Sequence, residues 1–294
     1  MVYVQKSFQN EEAKLYIVPT PIGNLDDMTF RAVETLKKVD KIACEDTRQT
    51  QKLLNHFQIQ TPVISYHEHN KYDREEFIIS MLKEGQSLAL VSDAGMPMIS
   101  DPGFELVRRC RDERIDVITL PGANAALTAL VGSGLNTDLF TFFGFLPRKK
   151  NEQIQVLTEL SQHEGTLIFY ESPYRVKKTL TVMKETYSDD RQVTLARELT
   201  KKYEEYIHGT LKDVINWIES NDIEMRGEFC IILEGRKEFT LLEDDWWIDK
   251  TIIEHVDYYI ESEQLSKNEA IKKVAKDRKV AKREIYQTYH RLSH

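Results

Sequence analysis

The stretch VSDAGMPMISDPG, residues 91–103, begins at the last residue of the apolar run at 87–91 and holds two Gly, two Pro and two Asp. A plain surface turn needs only one or two such residues. In its first half, AGMP, Gly95 allows another group to approach the main chain closely, and Pro97 removes an N–H donor. This half predicts an exposed main chain bordered by apolar surface, which suits a flat, partly apolar, zwitterionic ligand better than a polyphosphate.

The second half of the loop, SDPG, has a structural interpretation. Asp101 is a suitable N-cap for the helix that follows, and Pro102 would then stand at the first helical position. We therefore expect the Asp101 side chain to be used at the start of that helix.

Five short apolar runs alternate with helical patterns in the first part of the chain, at 15–18, 41–44, 62–66, 87–91 and 116–120. Strands that alternate with helices predict a parallel or mostly parallel sheet covered on both faces. A second α/β unit begins near Ala123, and adjacent strands in its later half predict a mixed sheet. We therefore predict an α/β fold with domains at 1–122 and 123–237, then an acidic linker and a basic helical module at 238–294.

Composition limits the class of protein. The chain of 294 residues is 41% hydrophobic and has a net charge of −8. No apolar run approaches the ~18 residues that a membrane span needs, so we expect no membrane partner. The three cysteines, Cys44, Cys110 and Cys230, are scattered and form no CxxC motif. This usage favours buried thiols in the reducing cytoplasm.

Charge is distributed unevenly near the end of the chain. Residues 238–263 contain nine acidic residues and one Lys, whereas residues 264–294 contain nine Lys or Arg and three acidic residues. The last segment therefore has a net charge of +6, although the chain as a whole is acidic. An acidic body with a basic tail suggests an anionic partner.

The loops that follow the first five strands are expected to lie together, because ligands bind beyond the carboxyl ends of the strands in open parallel sheets. The first of them, PTPIGNLDD at 19–27, has a single Gly. The chain contains neither GxGxxG nor GxxxxGK followed by Ser or Thr. A nucleoside triphosphate or a conventional dinucleotide is therefore disfavoured.

Several long motifs occur in an order typical of one family: PTPIGNL, EDTR, HEHN, LVSDAGMPMISDPG, PGANAA, GFLP, FYESPYR, ARELTK and RGE. On these motifs the chain resembles the tetrapyrrole-methylase superfamily and, within it, the ribosomal small-subunit RNA (cytidine-2′-O)-methyltransferases. The resemblance implies two α/β domains with S-adenosylmethionine (SAM) in the cleft between them, and a homodimer. Methyl transfer from SAM needs no metal, so we expect none. The resemblance also implies a substrate, the ribose 2′-hydroxyl of a decoding-centre cytidine in 16S ribosomal RNA of the small ribosomal subunit.

The resemblance also implies a set of cofactor contacts. AGMP stands where the superfamily has a Gly-Asp-Pro loop against the methionine end of SAM, so Gly95, Met96 and Pro97 are expected contacts. Asp93 either accepts a hydrogen bond from the amino group of SAM or holds the loop. Met96 replaces the Asp of the small-molecule enzymes, which favours the RNA-modifying branch. The remaining expected contacts are Asn124, Ala125, Tyr170, Glu171 and Leu199.

Candidate catalytic residues follow the second and third strands, in EDTR at 45–48 and HEHN at 67–70. A ribose hydroxyl is weakly acidic, so a base can assist its reaction. EDTR is either a helix cap with Arg48 paired to a carboxylate, or a carboxylate facing the ribose with Arg48 gripping a phosphate. HEHN could contact RNA, handle a proton, bind a metal or serve local structure. The predicted catalytic set is Glu45, Asp46, Arg48, His67 and Asn70.

Basic residues are the candidate RNA contacts. PRKK at 147–150 and the pair Tyr174-Arg175 offer charge beside aromatic rings, with a solvated surface as the alternative. The tail has two helical patterns, the first with a Ser266–Glu269 capping box, and resembles a helix-turn-helix. A purely structural hairpin is the alternative there. The predicted set is Arg148, Lys149, Lys150, Arg175, Lys272, Lys273, Lys276, Lys282 and Arg283.

Three functions compete at this point: an RNA methyltransferase, a SAM-dependent methylase of a tetrapyrrole or corrin, and a non-catalytic regulator that binds nucleic acid through its tail. The basic tail and AGMP favour the first over the second. Motifs at the ends of five strands disfavour the third, because a regulator has no need of them.

Overall fold

A computed structural model describes residues 4–7, 12–220, 227–236, 247, 250–278 and 280–291. The first five strands are β1 Leu15–Ile17, β2 Lys41–Cys44, β3 Val63–Ser65, β4 Leu88–Leu90 and β5 Val117–Thr119. They form one fully parallel sheet in the order β3-β2-β4-β1-β5. The helices between them are α1 Phe30–Lys38, α2 Thr47–His56, α3 Lys71–Lys83 and α4 Phe104–Asp112, with a 3-10 turn at Leu25–Asp27. The predicted parallel sheet is confirmed.

Helices cover both faces of this sheet, which explains why its strands are continuous apolar runs. Leu15 and Ile17 of β1 pack in a core with α3 and α4. Ile42 and Cys44 of β2 face the opposite way and pack with α1 and α2. Successive side chains of a strand point to opposite faces, so both faces need apolar residues.

The strand order creates a crevice at the carboxyl ends of β1 and β4. These strands are neighbours, but the chain leaves β1 towards β2 on one side and leaves β4 towards β5 on the other. The helices that follow them pack on opposite faces of the sheet. Ligands of open α/β sheets bind at such a switch point. The loops PTPIGNLDD and SDAGMPMISDPG therefore meet where a ligand is expected.

The second sheet is mixed, as predicted. Its strands are β6 Phe140–Phe145, β7 Thr166–Glu171, β8 Gln192–Arg197, β9 Glu205–Thr210 and β10 Phe229–Leu233. The order is β6-β7-β10-β8-β9, with β6 and β7 parallel and the other pairs antiparallel. Helix α5 Ala125–Ser133 packs on one face, and α6 Lys150–Leu160, α7 Val176–Thr186 and α8 Leu211–Ser220 pack on the other. Helix α6 was not among the predicted elements.

The chain forms two compact units, Met1–Gly235 and Arg236–His294. The second contains α9 Ile252–Ser262, α10 Lys267–Asp277 and α11 Lys282–Arg291, which share an apolar core. The predicted capping box starts α10, where the Glu269 carboxylate accepts from the Ser266 N–H at 3.0 Å. Helix α9 lies in the acidic stretch and was not predicted. The domain boundary at residue 122 stays a prediction.

Within the described ranges, no helix combines the length and the apolar character that a membrane crossing requires.

Candidate active site

Main-chain hydrogen bonds join the loop after β4 to the loop after β1. The Gly95 N–H donates to the Thr20 carbonyl at 3.0 Å, and the Thr20 N–H donates to the Gly95 carbonyl at 2.9 Å. Gly95 has a φ of +79°, and a Cβ at this position would lie 3.1 Å from Ile22 Cγ2. The close approach expected at AGMP is therefore real, and any side chain at residue 95 would be strained.

The second half of the same loop differs from its prediction. Gly103, with a φ of +133°, is the N-cap of α4, so the prediction that Asp101 caps this helix is wrong. Gly103 packs so tightly that a Cβ would lie 2.8 Å from Leu90 Cδ2. Met98 and Ser100 have φ values of +72° and +68°, which non-glycine residues rarely adopt. Tertiary packing overrides the local capping preference, and Asp101 lines a cavity instead.

That cavity has a volume of about 440 Å³ and is lined from both sheets. Of the predicted cofactor contacts, the lining includes Asp93, Gly95, Met96, Asn124, Ala125, Tyr170, Glu171 and Leu199. The remaining one, Pro97, is buried outside the lining. Glu45, which was predicted as a catalytic residue, also lines the cavity. The other lining residues were not predicted from the sequence: Ile22, Ala94, Ile99, Ser100, Asp101, Phe145, Ser172, Pro173, Ala196, Glu228, Phe229 and Cys230.

The lining is acidic. No Lys, Arg or His is among the described residues of the wall, whose charged members are Glu45, Asp93, Asp101, Glu171 and Glu228. Burial, followed by the charges of Glu45 and Asp93, raises the pKa of Asp101 to about 6, against a hydrogen bond with Ser92. Burial and the charge of Asp93 also raise the pKa of Glu45, while His67 acts to lower it. A cationic ligand would relieve this repulsion.

The sequence model of one protein family, described as Tetrapyrrole (Corrin/Porphyrin) Methylases, matches residues 14–215. The chain belongs to the tetrapyrrole methylase family. It is similar to Ribosomal RNA small subunit methyltransferase I of Bacillus subtilis strain 168, with 53% identity over 293 residues and 99% of each chain covered. The same-named protein of Halalkalibacterium halodurans is 53% identical over 288 residues, which cover 97% of this chain and 98% of the relative. The resemblance drawn from the motifs is confirmed.

Solved structures of the family share the fold. A cobalt precorrin-4 methyltransferase has a TM-score of 0.56 and 19% identity, covering 75% of this chain and 94% of that one. The uroporphyrin-III C-methyltransferase of Thermus thermophilus, complexed with S-adenosylhomocysteine, has a TM-score of 0.54 and 16% identity over 76% and 97% of the two chains. The predicted two-sheet α/β fold is thereby confirmed.

The cavity suits a ligand of the size and charge of SAM. Its volume falls within the ~300–1,000 Å³ of small-molecule sites. Apolar side chains such as Ile22, Leu199 and Phe229 offer contacts for the adenosine part. The carboxylates of Glu45 and Asp101 offer opposite charge to an ammonium and a sulfonium. The chemistry of these side chains therefore fits the cofactor that the family implies.

The wall from the second sheet is ordered by its own hydrogen bonds. The Tyr170 hydroxyl accepts from the Ala126 N–H at 3.2 Å, and Asn124 caps α5 by accepting from the Leu127 N–H at 3.0 Å. The Glu171 carboxylate accepts from the Ser172 N–H at 2.8 Å and from the Thr179 hydroxyl at 2.7 Å. The side chain of Glu171 therefore holds the turn after β7 together.

The thiols behave as the cysteine pattern predicts. Cys44, Cys110 and Cys230 are free and buried, and burial raises the pKa of Cys230 to about 12. Cys230 lies in the cavity wall as a small apolar group and, at neutral pH, as a thiol.

The EDTR motif contributes one residue to the cavity wall, and two of its other residues form hydrogen bonds next to that wall. Glu45 lines the cavity, whereas Asp46 is the N-cap of α2 and accepts from the Arg48 N–H at 2.8 Å. The Arg48 guanidinium donates to the Asp46 carboxylate at 2.9 Å and holds the pKa of that carboxyl at about 2. The Asp46 N–H donates to Asp93 at 3.1 Å, which ties this loop to the β4 loop. The capping interpretation of EDTR therefore describes its geometry.

HEHN forms a turn after β3 outside the cavity lining. The Asn70 side chain accepts from the His67 N–H at 2.9 Å and donates to the Ser65 hydroxyl at 3.2 Å. The His67 Nδ1 atom is buried and has no hydrogen-bond partner among the described residues. His67 thus has an unused ring nitrogen in a loop adjoining the acidic wall.

The predicted RNA contacts at 148–150 and 175 differ in the interactions that they make. Arg148 is exposed, while Lys149 and Lys150 pair with Glu152 and Glu185 at 2.8 Å. Arg175 donates to the Leu146 and Pro147 carbonyls at 2.9 Å and lies 3.4 Å from the Glu171 carboxylate. Arg175 therefore supports the loop after β6, and the exposed charge is concentrated at 148–150.

The predicted contacts of the tail lie on α10 and α11. Lys273 pairs with Glu263 and lies over the Tyr259 ring. The others are exposed and form no ion pair within the part of the tail that the structure describes: Lys272, Lys276, Lys282 and Arg283. Apolar residues of the same helices are buried in the shared core, so the charges occupy the outer faces.

Proposed function

We propose that this protein transfers a methyl group from SAM to the ribose 2′-hydroxyl of a cytidine in 16S ribosomal RNA, within the decoding centre of the small subunit. The observation that carries the proposal is the acidic cavity at the switch point, lined by nearly the whole predicted cofactor set. The relatives named Ribosomal RNA small subunit methyltransferase I support the RNA substrate, because they match essentially the full chain.

SAM supplies a methyl group already activated on a sulfonium. The main chain at Gly95 and Met96 and the side chains of Tyr170 and Leu199 are proposed to hold it. The negative wall at Asp93 attracts its positive end, although that side chain also holds the EDTR loop. Methyl transfer is an in-line displacement, so positioning the acceptor oxygen behind the methyl group supplies much of the acceleration.

The acceptor is proposed to lie at the first-sheet side of the cavity, beside Glu45. Asp46 and Arg48 shape the adjoining loop, and the exposed guanidinium is available to a phosphate. His67 and Asn70 form the next loop along the sheet. In this arrangement Glu45 contacts the reacting groups, and the other four position the RNA.

RNA docking is assigned to the exposed basic residues at 148–150 and on α10 and α11. Positive charge on the outer faces of a small helical unit suits a phosphate backbone.

We further propose that the protein acts in the cytoplasm as a homodimer. Support for a dimer comes from the outer face of α5, where Leu127 is 49% exposed and Val131 is 77% exposed. Exposed apolar side chains four residues apart on one helix suit a protein contact. In analytical ultracentrifugation we expect the wild-type protein to sediment at twice the monomer mass. We expect Val131→Glu to sediment at the monomer mass.

The proposal is tested by incubating the purified protein with SAM labelled in its methyl group and with small ribosomal subunits from cells that lack the protein. A tetrapyrrole precursor serves as the competing substrate. We expect label in 16S RNA, on one cytidine, in a form that resists alkaline cleavage at that nucleotide. Label in the tetrapyrrole alone would contradict the proposal, and label on a base would contradict the ribose assignment.

A further inference from the structure

Two exposed aromatic rings lie where β6 and β7 end, beside the cavity. Phe145 is the last residue of β6 and is 54% exposed, although it lines the cavity. Tyr174 lies in the turn after β7 and is 90% exposed. A ring that stays in water contributes little to the stability of the fold. At the mouth of a cavity, such a ring suits stacking against a flat group of a ligand.

A bulge in β6 turns the Phe145 side chain towards the cavity. The pairing of β6 with β7 shifts by one residue between Phe142 and Gly144, which leaves Phe143 as the extra residue. Phe145 consequently pairs with Tyr170 of the cavity wall, and the two ring centroids lie 5.7 Å apart. Without this shift, the alternation of side chains along the strand would place Phe145 on the opposite face of the sheet. Bulges beside active sites re-aim side chains in this way.

The bulge packs tightly against the loop after β4. Gly144 has a φ of +82°, and a Cβ at this position would lie 3.1 Å from Ser100 Oγ. Ser100 itself lines the cavity. Glycine is therefore needed here both for the backbone conformation and for the close approach. The end of β6, with Phe145, is held in place by contacts from both sheets.

Arg175 joins the two segments that carry the rings. Its guanidinium donates to the main-chain carbonyls of residues 146 and 147 at 2.9 Å, so the segments of Phe145 and Tyr174 are tied together. Exposed positive charge follows along the chain at 148–150. Aromatic surface at the cavity mouth therefore leads directly into basic surface.

We propose that Phe145 and Tyr174 bind the base of the target cytidine by stacking, and thereby place its ribose in the mouth of the cavity. This inference rests on the proposed function and adds to it the site that receives the base. Aromatic side chains stack on the unpaired bases of RNA in many sequence-specific complexes.

The chemistry of a nucleotide limits where the base can lie. The 2′-oxygen and the base are attached to adjacent carbons of the ribose. Because the 2′-oxygen has to lie behind the methyl group of SAM, the base has to lie at the mouth of the same cavity. Phe145 offers ring surface at this mouth, since it is both part of the lining and half exposed.

Charge at the mouth favours a base there and a phosphate farther out. The charged side chains of the described cavity wall are all carboxylates, which repel a phosphate, whereas a cytosine ring is uncharged at neutral pH. The basic residues at 148–150 follow Phe145 closely and are the proposed phosphate contacts. The base therefore lies towards the second sheet, and the ribose lies on the side of Glu45.

The experiment measures single-turnover methylation at saturating SAM over a range of small-subunit concentrations. Phe145→Ala and Tyr174→Ala should each raise the concentration that gives half the maximal rate by about 5- to 150-fold, the effect of one lost stacking contact. SAM affinity, measured by calorimetry, should stay within about threefold of wild type. Phe140→Ala is the matched control, because Phe140 is 40% exposed at the other end of β6, and it should match wild type.

Conservative variants test whether the ring itself is needed. Phe145→Tyr and Tyr174→Phe keep a ring and should stay within about threefold of wild type. Phe145→Leu and Tyr174→Leu keep apolar bulk without a ring and should behave like the alanine variants. Wild-type behaviour of the leucine variants would mean that apolar packing is sufficient, and it would overturn the stacking assignment.

A crosslink tests which nucleotide is bound. Ultraviolet irradiation of the protein with small subunits and S-adenosylhomocysteine should attach the peptide that contains Tyr174 to the target cytidine. Attachment to another nucleotide would overturn the inference, as would a loss of SAM affinity in Phe145→Ala as large as its loss of subunit affinity. Wild-type kinetics of both alanine variants would overturn it too and leave the proposed function standing. An inactive wild type would overturn the proposed function, and the inference with it.

Discussion

The cavity wall and the helical tail carry opposite charge within one acidic chain. The charged lining of the cavity consists of carboxylates, whereas the exposed outer faces of α10 and α11 carry Lys272, Lys276, Lys282 and Arg283. A cationic methyl donor and a polyanionic RNA require opposite surroundings. The contrast shows that the net charge of the whole chain does not predict its partners, because each surface carries a charge opposite to that of its own ligand.

The strongest test of the cavity is a side chain at Gly95. Gly95→Arg should weaken SAM binding by about 100-fold or more, because the loop is already in contact with Ile22 and the residue lines the cavity. Titration calorimetry with SAM measures the effect. Gly85→Arg is the matched control, since Gly85 also has a positive φ, of +89°, but has open space around it.

The control separates backbone strain from obstruction of the site. Both variants place an arginine at a positive φ, so both should lose some stability. Only Gly95→Arg should lose SAM. Equal SAM affinity in the two variants would remove AGMP from the cofactor site.

Next in size are the loops beside Glu45. Asp46→Ala, Arg48→Ala and His67→Ala should each lower single-turnover methylation by about 5- to 30-fold, the effect of one or two lost contacts, with SAM affinity kept within about twofold. Arg48→Ala removes the guanidinium from the Asp46 carboxylate but keeps the main-chain N–H that this carboxylate caps. Wild-type rates in all three would move the acceptor towards the second sheet, around Glu171 and Arg175.

The basic side of the comparison is tested by removing charge from the tail. Replacing Lys272, Lys276, Lys282 and Arg283 with Gln should weaken binding to small subunits and reduce the salt slope of log affinity by about three, because each phosphate contact releases counterions. SAM affinity should not change. Equal affinity and slope would show that the tail is structural.

The structure also decides where the tail can be cut. The change of charge in the sequence suggests a cut near Glu263, but α9 ends at Ser262 and buries Val256 and Tyr259 against α10 and α11. Such a cut would expose this core. Removal after Gly235 takes away the whole unit and should leave SAM binding intact.

The sequence predicted most of the first sheet and much of the cavity. Alternating apolar runs located β1 to β5 within a residue or two, because buried parallel strands leave a strong pattern. The family motifs identified cavity residues in the loops, such as Gly95 and Asn124, because Gly and Asn stand out after an apolar strand. Side chains such as Ala196 and Phe229 were missed, since an apolar residue in a strand looks the same beside a cavity as in a core.

Two other misses have local causes. Asp101 was predicted as the N-cap because Asp is a favoured residue there, but the tightly packed Gly103 is the N-cap of α4 in the structure. Helix α9 lies in a strongly acidic stretch, which favoured a linker. Its start was nevertheless visible in Thr251 and Glu254, which form a capping box with a 2.7 Å hydrogen bond from the Thr251 N–H.

The smallest expected effect is a response to acid that has opposite signs in the two regions. His255 of α9 is buried against Trp247, and burial, followed by the charge of Arg278, lowers its pKa to about 4. Unfolded His255 would bind a proton below about pH 6.5, so the tail loses stability as the pH falls from about 6.5 to 4. At pH 5 the loss is about 1–2 kcal/mol.

Asp101 behaves in the other direction. Its pKa is raised to about 6 in the fold, so between its unfolded value and about pH 6 the folded protein binds more protons, and mild acid favours the folded cavity. Hydrogen exchange at pH 7 and pH 5, corrected for the intrinsic pH dependence, should therefore show α9–α11 opening more at pH 5 and the β4 loop opening less. His255→Gln should remove the first change and Asp101→Asn the second, each without affecting the other, because the two groups titrate in separate compact units. Equal responses of both regions in wild type would mean that acid acts through the net charge of the chain rather than through these two residues.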